Sequence, residues 1–275
     1  MITLRALLAM LMPLFASAPF STDVEADSWR VWKPEDPPIP EKHPRGHGHA
    51  CADAHWMQSG QAPIKMCVHD VADPVATALK VKGRWIDCAM LLRNYNLLAD
   101  REGPASIFLE VGANIGACTV EFLALTGAHV IAVEPNPINL FHLTRTLSLH
   151  PDHERHHYSK GRNRFLHNCH EASQASADLQ PCVHVLPIGA GDRPAELKIF
   201  TESSNAGNSI LEDKTDAGAL GLQKHLREIP GQYQESMSST VQVRRLDDVL
   251  PSGLPQGARA FMKVDVQARA APPSP

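Results

Sequence analysis

Basic clusters are missing from this chain. Its 26 Lys and Arg are scattered among 30 Asp and Glu, for a net charge of −4, so no positive field is available to hold nucleic acid. No Asn-x-Ser/Thr acceptor occurs, which removes the usual glycan marker of a secreted protein, and no internal repeat is visible. Metal-ligand spacings are absent as well. His153, His156, His157, His167 and His170 gather near Cys169, yet none of the spacings matches a zinc finger. That segment lacks strand or helix signals that would hold ligands rigidly. Its histidines read as solvated loop residues, and no metal site is expected. What the chain does have is 275 residues at 43% hydrophobic content, enough for one domain with a sizeable core.

The N-terminus is a different kind of sequence. Arg5 gives a positive start, residues 6–15 are almost wholly apolar, and Ala16-Ser17-Ala18 has the small-x-small form of a cleavage site. Pro19 disfavours cleavage, so residues 1–18 read as a signal peptide or a short signal anchor. Asp23, Glu25 and Asp27 follow at once, which argues against an organellar leader. The expected location is the secretory pathway, luminal or secreted, with membrane contact only through that anchor. Residues 19–60 read as a linker, because Pro34, Pro37, Pro38, Pro40 and Pro44 stand among charges and favour extended backbone. The even set Cys51, Cys67, Cys88, Cys118, Cys169 and Cys182 suits an oxidising compartment, although six cysteines permit about 15 connectivities. Cys51 with Cys67 or Cys88 is the leading pairing. Cys118 reads as a buried free thiol. Trp29, Trp32, Trp56 and Trp85 precede the core and are expected to pack the N-terminal segment onto it.

The densest chemical signal runs from Phe108 to Pro137. Phe-Leu-Glu-Val-Gly-Ala-Asn-Ile-Gly (residues 108–116) is a buried strand entering a glycine-punctuated turn, and Val-Ile-Ala-Val-Glu-Pro-Asn-Pro (residues 130–137) is a second buried strand ending on an acid. The pattern fits an S-adenosylmethionine (SAM) site of a methyltransferase. Glu110 would accept from the ammonium of the methionine moiety. Gly112 and Gly116 permit a tight turn and close approach of the cofactor. Glu134 would take both ribose hydroxyls in a bidentate hydrogen bond. A nicotinamide site also wants a glycine turn and an acid about 20 residues on. Its second glycine, however, is here Asn114, whose side chain would stand in the way of a pyrophosphate.

Other elements follow from periodicity and punctuation. Between residues 64 and 98 a short strand pair precedes a helix near 90–98. Residues 107–111, 130–133, 183–188 and 260–266 read as buried strands, and 117–125 as a helix with Cys118, Phe122 and Leu125 on one face. A hydropathy window over 105–133 could suggest a membrane span, but Glu110, Asn114, Glu121 and His129 interrupt it. Two strands and a helix explain it better. Asn136 caps a helix that Pro137 opens and Pro151 stops. Residues 151–180 read as an insertion, 195–200 as a hairpin arm, 213–228 as a helix, 241–244 as a strand and 246–250 as a helical turn.

Taken in order, Glu110-x-Gly112-x-Asn114-x-Gly116 and Glu134-Pro135-Asn136-Pro137 resemble the FkbM methyltransferases. Leu186 to Asp192 is similar to the family's strand-and-turn beside the adenine, where Gly189 falls. Asn205 to Leu211 is similar to its polar loop near the substrate mouth. Val241 to Leu250, with Met262 to Gln267, resembles its late Leu-Asp-Asp and Lys-x-Asp-Val-Glu/Gln-Gly pair. The resemblance implies an α/β, Rossmann-like SAM-dependent methyltransferase fold over residues 61–267. It implies transfer to a hydroxyl of a sugar, glycan or other small metabolite. Glu110, Gly112, Asn114, Gly116, Glu134, Asn136 and Gly189 would hold the cofactor, and Asp265 would lie near the acceptor proton.

The family continues its last motif into a helix and further strands, whereas residues 268–275 here form a proline-ended, non-family tail. In a sheet ordered 3-2-1-4-5-7-6 this predicts a fold truncated after the fourth core strand. The alternative function is therefore a truncated, inactive remnant that keeps a nucleoside pocket.

Overall fold

The computed structural model describes residues 49–55, 63–70, 73–103, 105–126, 128–149, 183–202, 206–211, 233–250 and 258–265. Its centre is a parallel sheet of β3 (Ile107–Val111), β4 (His129–Val133), β5 (Val183–Leu186) and β10 (Ala260–Val264). The order is β10-β3-β4-β5, so the chain steps outward from β3 and later returns to its other side. This is the expected arrangement of the first four methyltransferase strands. Every residue of β3 and β4 is buried, as befits strands covered on both faces.

Alternation along β3 divides the core in two. Ile107, Leu109 and Val111 meet Ile131, Val133, Leu186, Ile188 and Val249 on one face. Phe108 points the other way, where it stacks on Phe122 of α3 (Ala117–Thr126) with ring centroids 3.9 Å apart. Phe261 of β10 lies opposite Phe108 in register and stacks with Phe122 at 5.8 Å. Tyr95 sets its edge against both Phe122 and Phe261 and donates to the carbonyl of Ala105 at 2.9 Å. Aromatics are only 5% of the chain, and four of them are spent holding α3 to the sheet. The stretch that imitates a membrane span is thus strand, helix and strand. No helix among the described residues is long and apolar enough to cross a membrane.

The N-terminal layer departs from expectation. A strand pair does form, but between β1 (His49–Ala54), placed within the expected linker, and β2 (Ile64–His69). Two helices follow instead of one. In α1 (Pro74–Lys82), Asp73 accepts from the Ala76 amide at 2.8 Å and Pro74 fills the first turn. Gly83 ends it in the left-handed region, φ 67°, donating to Leu79. Pro74 and Gly83 are therefore helix boundaries. The second helix, α2 (Ile86–Glu102), is longer than the segment 90–98 suggests, because Ile86 and Met90 are exposed and blur its apolar face. Cys51 bonds Cys67 across β1 and β2, one of the expected pairings. Cys118 is not a free thiol: it bonds Cys88 and staples α3 to α2.

The helix α4 (Pro137–Leu149) begins as expected, with Asn136 Oδ1 accepting from the Ile138 amide at 2.9 Å. Beside the parallel sheet lies a second one of β6 (Gly189–Ala190), β7 (Ala195–Glu202), β8 (Ile210–Leu211) and β9 (Tyr233–Arg244), ordered β6-β9-β7-β8. Within it β7 is the anticipated hairpin arm, pairing antiparallel with both β8 and β9. The strand near 241–244 is the end of the much longer β9, and the turn at 246–250 is α5 (Leu246–Val249). The expected signal segment, most of the linker, the insertion with its histidines, the helix at 213–228, Asn205, Trp29, Trp32, Trp56 and the tail lie outside the described residues.

Two predictions follow from this core. Because Cys88–Cys118 closes a loop of 30 residues, the double variant Cys88→Ala/Cys118→Ala should lose about 2–4 kcal/mol of unfolding free energy relative to the oxidised chain. Denaturant titration with and without reductant measures it; equal midpoints for variant and oxidised wild type would contradict the staple. His129, 3% exposed, is held neutral by burial and by the stacked imidazole of His184, which push its pKa down to about 4. The unfolded chain then binds a proton that the folded chain refuses. The stability contribution is complete above about pH 6.5 and lost as pH falls to 4, amounting to about 3 kcal/mol. In His129→Leu, unfolding curves at pH 7 and pH 4 should differ by that much less.

Candidate functional site

A cavity of about 410 Å³ opens at the carboxyl ends of β3 and β4, within the range of small-ligand pockets. Its position follows from topology. The chain leaves β3 toward β4, and β10 sits on β3's opposite side, so the loops beyond β3 diverge and leave a crevice. Gly112, Asn114, Glu134, Asn139, Ile188, Gly189 and Asp265 line it. The residues 207–209 and Leu211 form part of its rim, and Pro74, Val75 and Trp85 bring the N-terminal layer to it.

The turn after β3 needs unusual backbone. Gly112, Asn114 and Gly116 have φ of 85°, 54° and 83°, a region that glycine enters freely and asparagine tolerates. A Cβ on Gly116 would also collide with Leu143 of α4. Every amide of the turn is used within the protein. Gly112 and Ala113 donate to the Val133 carbonyl at 2.9 and 3.1 Å, and Gly116 donates to Ala113 at 2.9 Å. Asn114 donates to Glu134 Oε2 at 2.8 Å, and Ile115 donates to Asn114 Oδ1 at 2.8 Å. The turn thus offers no N–H from residues 112–116 to a phosphate.

Glu134 is 5% exposed and sits in an amide cage. Its Oε1 accepts from the Asn136 amide at 2.9 Å and from Asn139 Nδ2 at 3.2 Å, while Oε2 holds Asn114. Burial pushes its pKa above the ordinary carboxylate value, against the pull of the Asn136, Asn114 and Asn139 donors and the charge of Lys263. A carboxylate has about four lone-pair sites. Three are occupied, and the remaining one lies on Oε2.

Glu110 is placed differently from expectation. It faces α3 and β10, fully buried, and does not line the cavity. Its Oε2 accepts from Thr119 Oγ1 at 2.6 Å, and its Oε1 from Lys263 Nζ at 2.9 Å. Lys263 is its register partner on β10, so two charges meet across the parallel pair just below the cavity floor. Burial works against the Lys263 ammonium, but the carboxylates of Glu110 and Asp265 outweigh it and raise its pKa above the usual lysine value. Lys263 Nζ also lies 3.5 Å from Asp265 Oδ2. Asp265 is 63% exposed, and its amide donates to Val111 at 2.9 Å. It is the carboxylate of this cavity that solvent reaches.

Of the residues anticipated from sequence, Gly112, Asn114, Glu134, Gly189 and Asp265 converge on the cavity. Asn136 is set behind it: its Nδ2 donates to Thr201 Oγ1 at 3.1 Å and Ser209 Oγ at 2.7 Å, tying the cap of α4 to the rim. Gly116 shapes the turn from below. Sequence reading missed Lys263, Asn139, His69 and Trp85. A lysine alternating with Phe261 and Met262 in an apolar strand does signal a buried partner. Nothing local singles out the others.

A crevice at the switch point of a parallel sheet, with a strained turn and a caged acid on neighbouring strand ends, defines a small-ligand α/β enzyme site. The chain belongs to the FkbM methyltransferases: its residues 110–268 match the methyltransferase FkbM domain. No curated protein and no solved structure matches the chain significantly.

Removing one member of the buried pair should be costly. Lys263→Met leaves the Glu110 carboxylate buried without its counter-charge, a loss of about 3–5 kcal/mol. The double variant Glu110→Leu/Lys263→Met should be less destabilised than Lys263→Met alone. Chemical denaturation of the wild type, Glu110→Leu, Lys263→Met and the double variant tests this, and additive losses would contradict coupling.

Proposed function

We propose that this methyltransferase uses SAM and methylates a hydroxyl of a sugar, glycan or other small metabolite. The observation that carries the reading is the saturated turn. A dinucleotide needs N–H donors for its pyrophosphate, and the amides of residues 112–116 are all engaged. A nucleoside without phosphate does not need them. The residues present fit such a group. Gly112 exposes bare backbone to the cavity, Glu134 keeps one acceptor site for a ribose hydroxyl, and Ile188 and Gly189 supply an apolar wall for a base.

When bound, SAM supplies an electrophilic methyl group. The protein's part is to orient an acceptor hydroxyl and take its proton. Asp265 suits the second task, since it lines the cavity at the end of β10 and keeps contact with water for proton release. Lys263 steadies it from 3.5 Å while remaining bonded to Glu110. Glu110 acts from beneath, fixing that lysine and Thr119 of α3, rather than by touching a ligand. The polar rim at Asn208 and Ser209 faces the same space and suits a hydroxylated substrate. We place the protein in the secretory pathway on the strength of its apolar N-terminus and its disulfides.

Titration calorimetry should show binding of SAM and none of NAD. Glu134→Ala should weaken SAM binding by about 1.5–3 kcal/mol, the range for a hydrogen bond to a charged group. Asp265→Asn should leave SAM affinity within about twofold and lower methyl transfer to a sugar or alcohol panel about 10²–10⁴-fold. Tight NAD binding, or full turnover by Asp265→Asn, would refute the respective assignment.

A further inference from the structure

The layer formed by residues 49–102 precedes the stretch matched by the FkbM domain, yet it reaches the caged acid through one intermediary. Asn139 Nδ2 donates to Glu134 Oε1 at 3.2 Å, and Asn139 Oδ1 lies 3.1 Å from His69 Nε2. With Glu134 ionised, the direction of this relay is set. An ionised carboxylate only accepts, so the amide must turn its NH₂ toward Glu134 and its oxygen toward His69. His69 must then carry its proton on Nε2. The acid therefore dictates the tautomer of an imidazole two residues along the chain of bonds. All three groups are buried, with His69 and Asn139 each 2% exposed.

His69 is itself firmly placed. It ends β2, two residues beyond the Cys51–Cys67 bridge, and its carbonyl accepts from Lys80 Nζ at 2.6 Å. Its ring meets His142 of α4 edge-on at 4.2 Å. The amide of Cys67 donates to Thr146 Oγ1 of α4 at 2.8 Å, which clamps the strand to the helix that carries Asn139. Asn139 is one of two donors on Oε1. Losing its orientation would leave Oε1 to the Asn136 amide alone and loosen the aim of the open site on Oε2.

We propose that His69, outside the family-matched stretch, is a positioning residue that holds the Glu134 carboxylate in its ligand-binding orientation through Asn139. The ligand's identity as SAM rests on the preceding reading; the positioning relay rests on geometry alone. Two measurements on the full chain test it. Imidazole ¹⁵N NMR of the wild type should show His69 as the Nε2–H tautomer, and Asn139→Leu should shift the Nε2 resonance by removing its acceptor; an Nδ1–H tautomer in the wild type, or an Nε2 resonance unmoved by Asn139→Leu, would overturn the relay. In SAM calorimetry His69→Leu should bind about 5–10-fold more weakly, the worth of one ordinary hydrogen bond. His69→Gln, which keeps an N–H donor, should recover most of the loss. In a Glu134→Ala background His69→Leu should change affinity less than about twofold. Equal losses in both backgrounds would make His69 a packing residue only and overturn the proposal. Should His69→Leu fail to fold, the NMR result and His69→Gln decide. A wild-type chain that ignores SAM would refute the cofactor reading instead, leaving the tautomer to judge the relay.

Discussion

Three amide donors converge on the carboxylate of Glu134, and each comes from a different part of the site. Asn114 brings the turn after β3, Asn136 the cap of α4, and Asn139 the first turns of that helix. Without an acceptor there, the Asn114 and Asn136 amides would be buried donors without these partners, a condition that costs about as much as a full desolvation. The acid is therefore structural before it is functional. It ties the turn after β3 to the start of α4 at the edge of the cavity.

Beneath this cage sits the second buried acid, and the two solve the same problem in different ways. Glu134 is neutralised by oriented amides, whereas Glu110 takes a full counter-charge from Lys263 and a hydroxyl from Thr119. Amides leave a lone pair open toward the cavity. Glu110 in its ion pair is fully buried and set off the cavity. That contrast explains why one acid lines the pocket and the other does not, although both stand near the ends of adjacent parallel strands.

The disulfides fit the same economy of rigid support. One locks the strand that leads to His69, and the other ties α3, whose N-terminus backs the glycine turn, to α2. Rigidity at the turn matters because Asn114, which is not a glycine, holds positive φ, a geometry kept only where its surroundings over-determine it.

Much of this was legible in residue order. Continuous apolar runs marked β3 and β4, Asn136-Pro137 marked the start of α4, and the acids with their spaced glycines marked the turn, because each is a short-range consequence of backbone sterics and burial. The order of the four parallel strands followed from the family motifs. Pairing in space was not legible. Cys118 reads as a lone thiol along the chain because Cys88 lies on a helix 30 residues away. Glu110 gives no sign of its ion pair because Lys263, 153 positions on, becomes its neighbour only when β10 returns to β3. His69 carries no signal at all until β2 packs on α4. Sequence by itself determined where the chain turns and which side chains are acidic at strand ends. Tertiary structure decided which of those acids lines the cavity, since that depends on which neighbours the folded sheet brings against each of them.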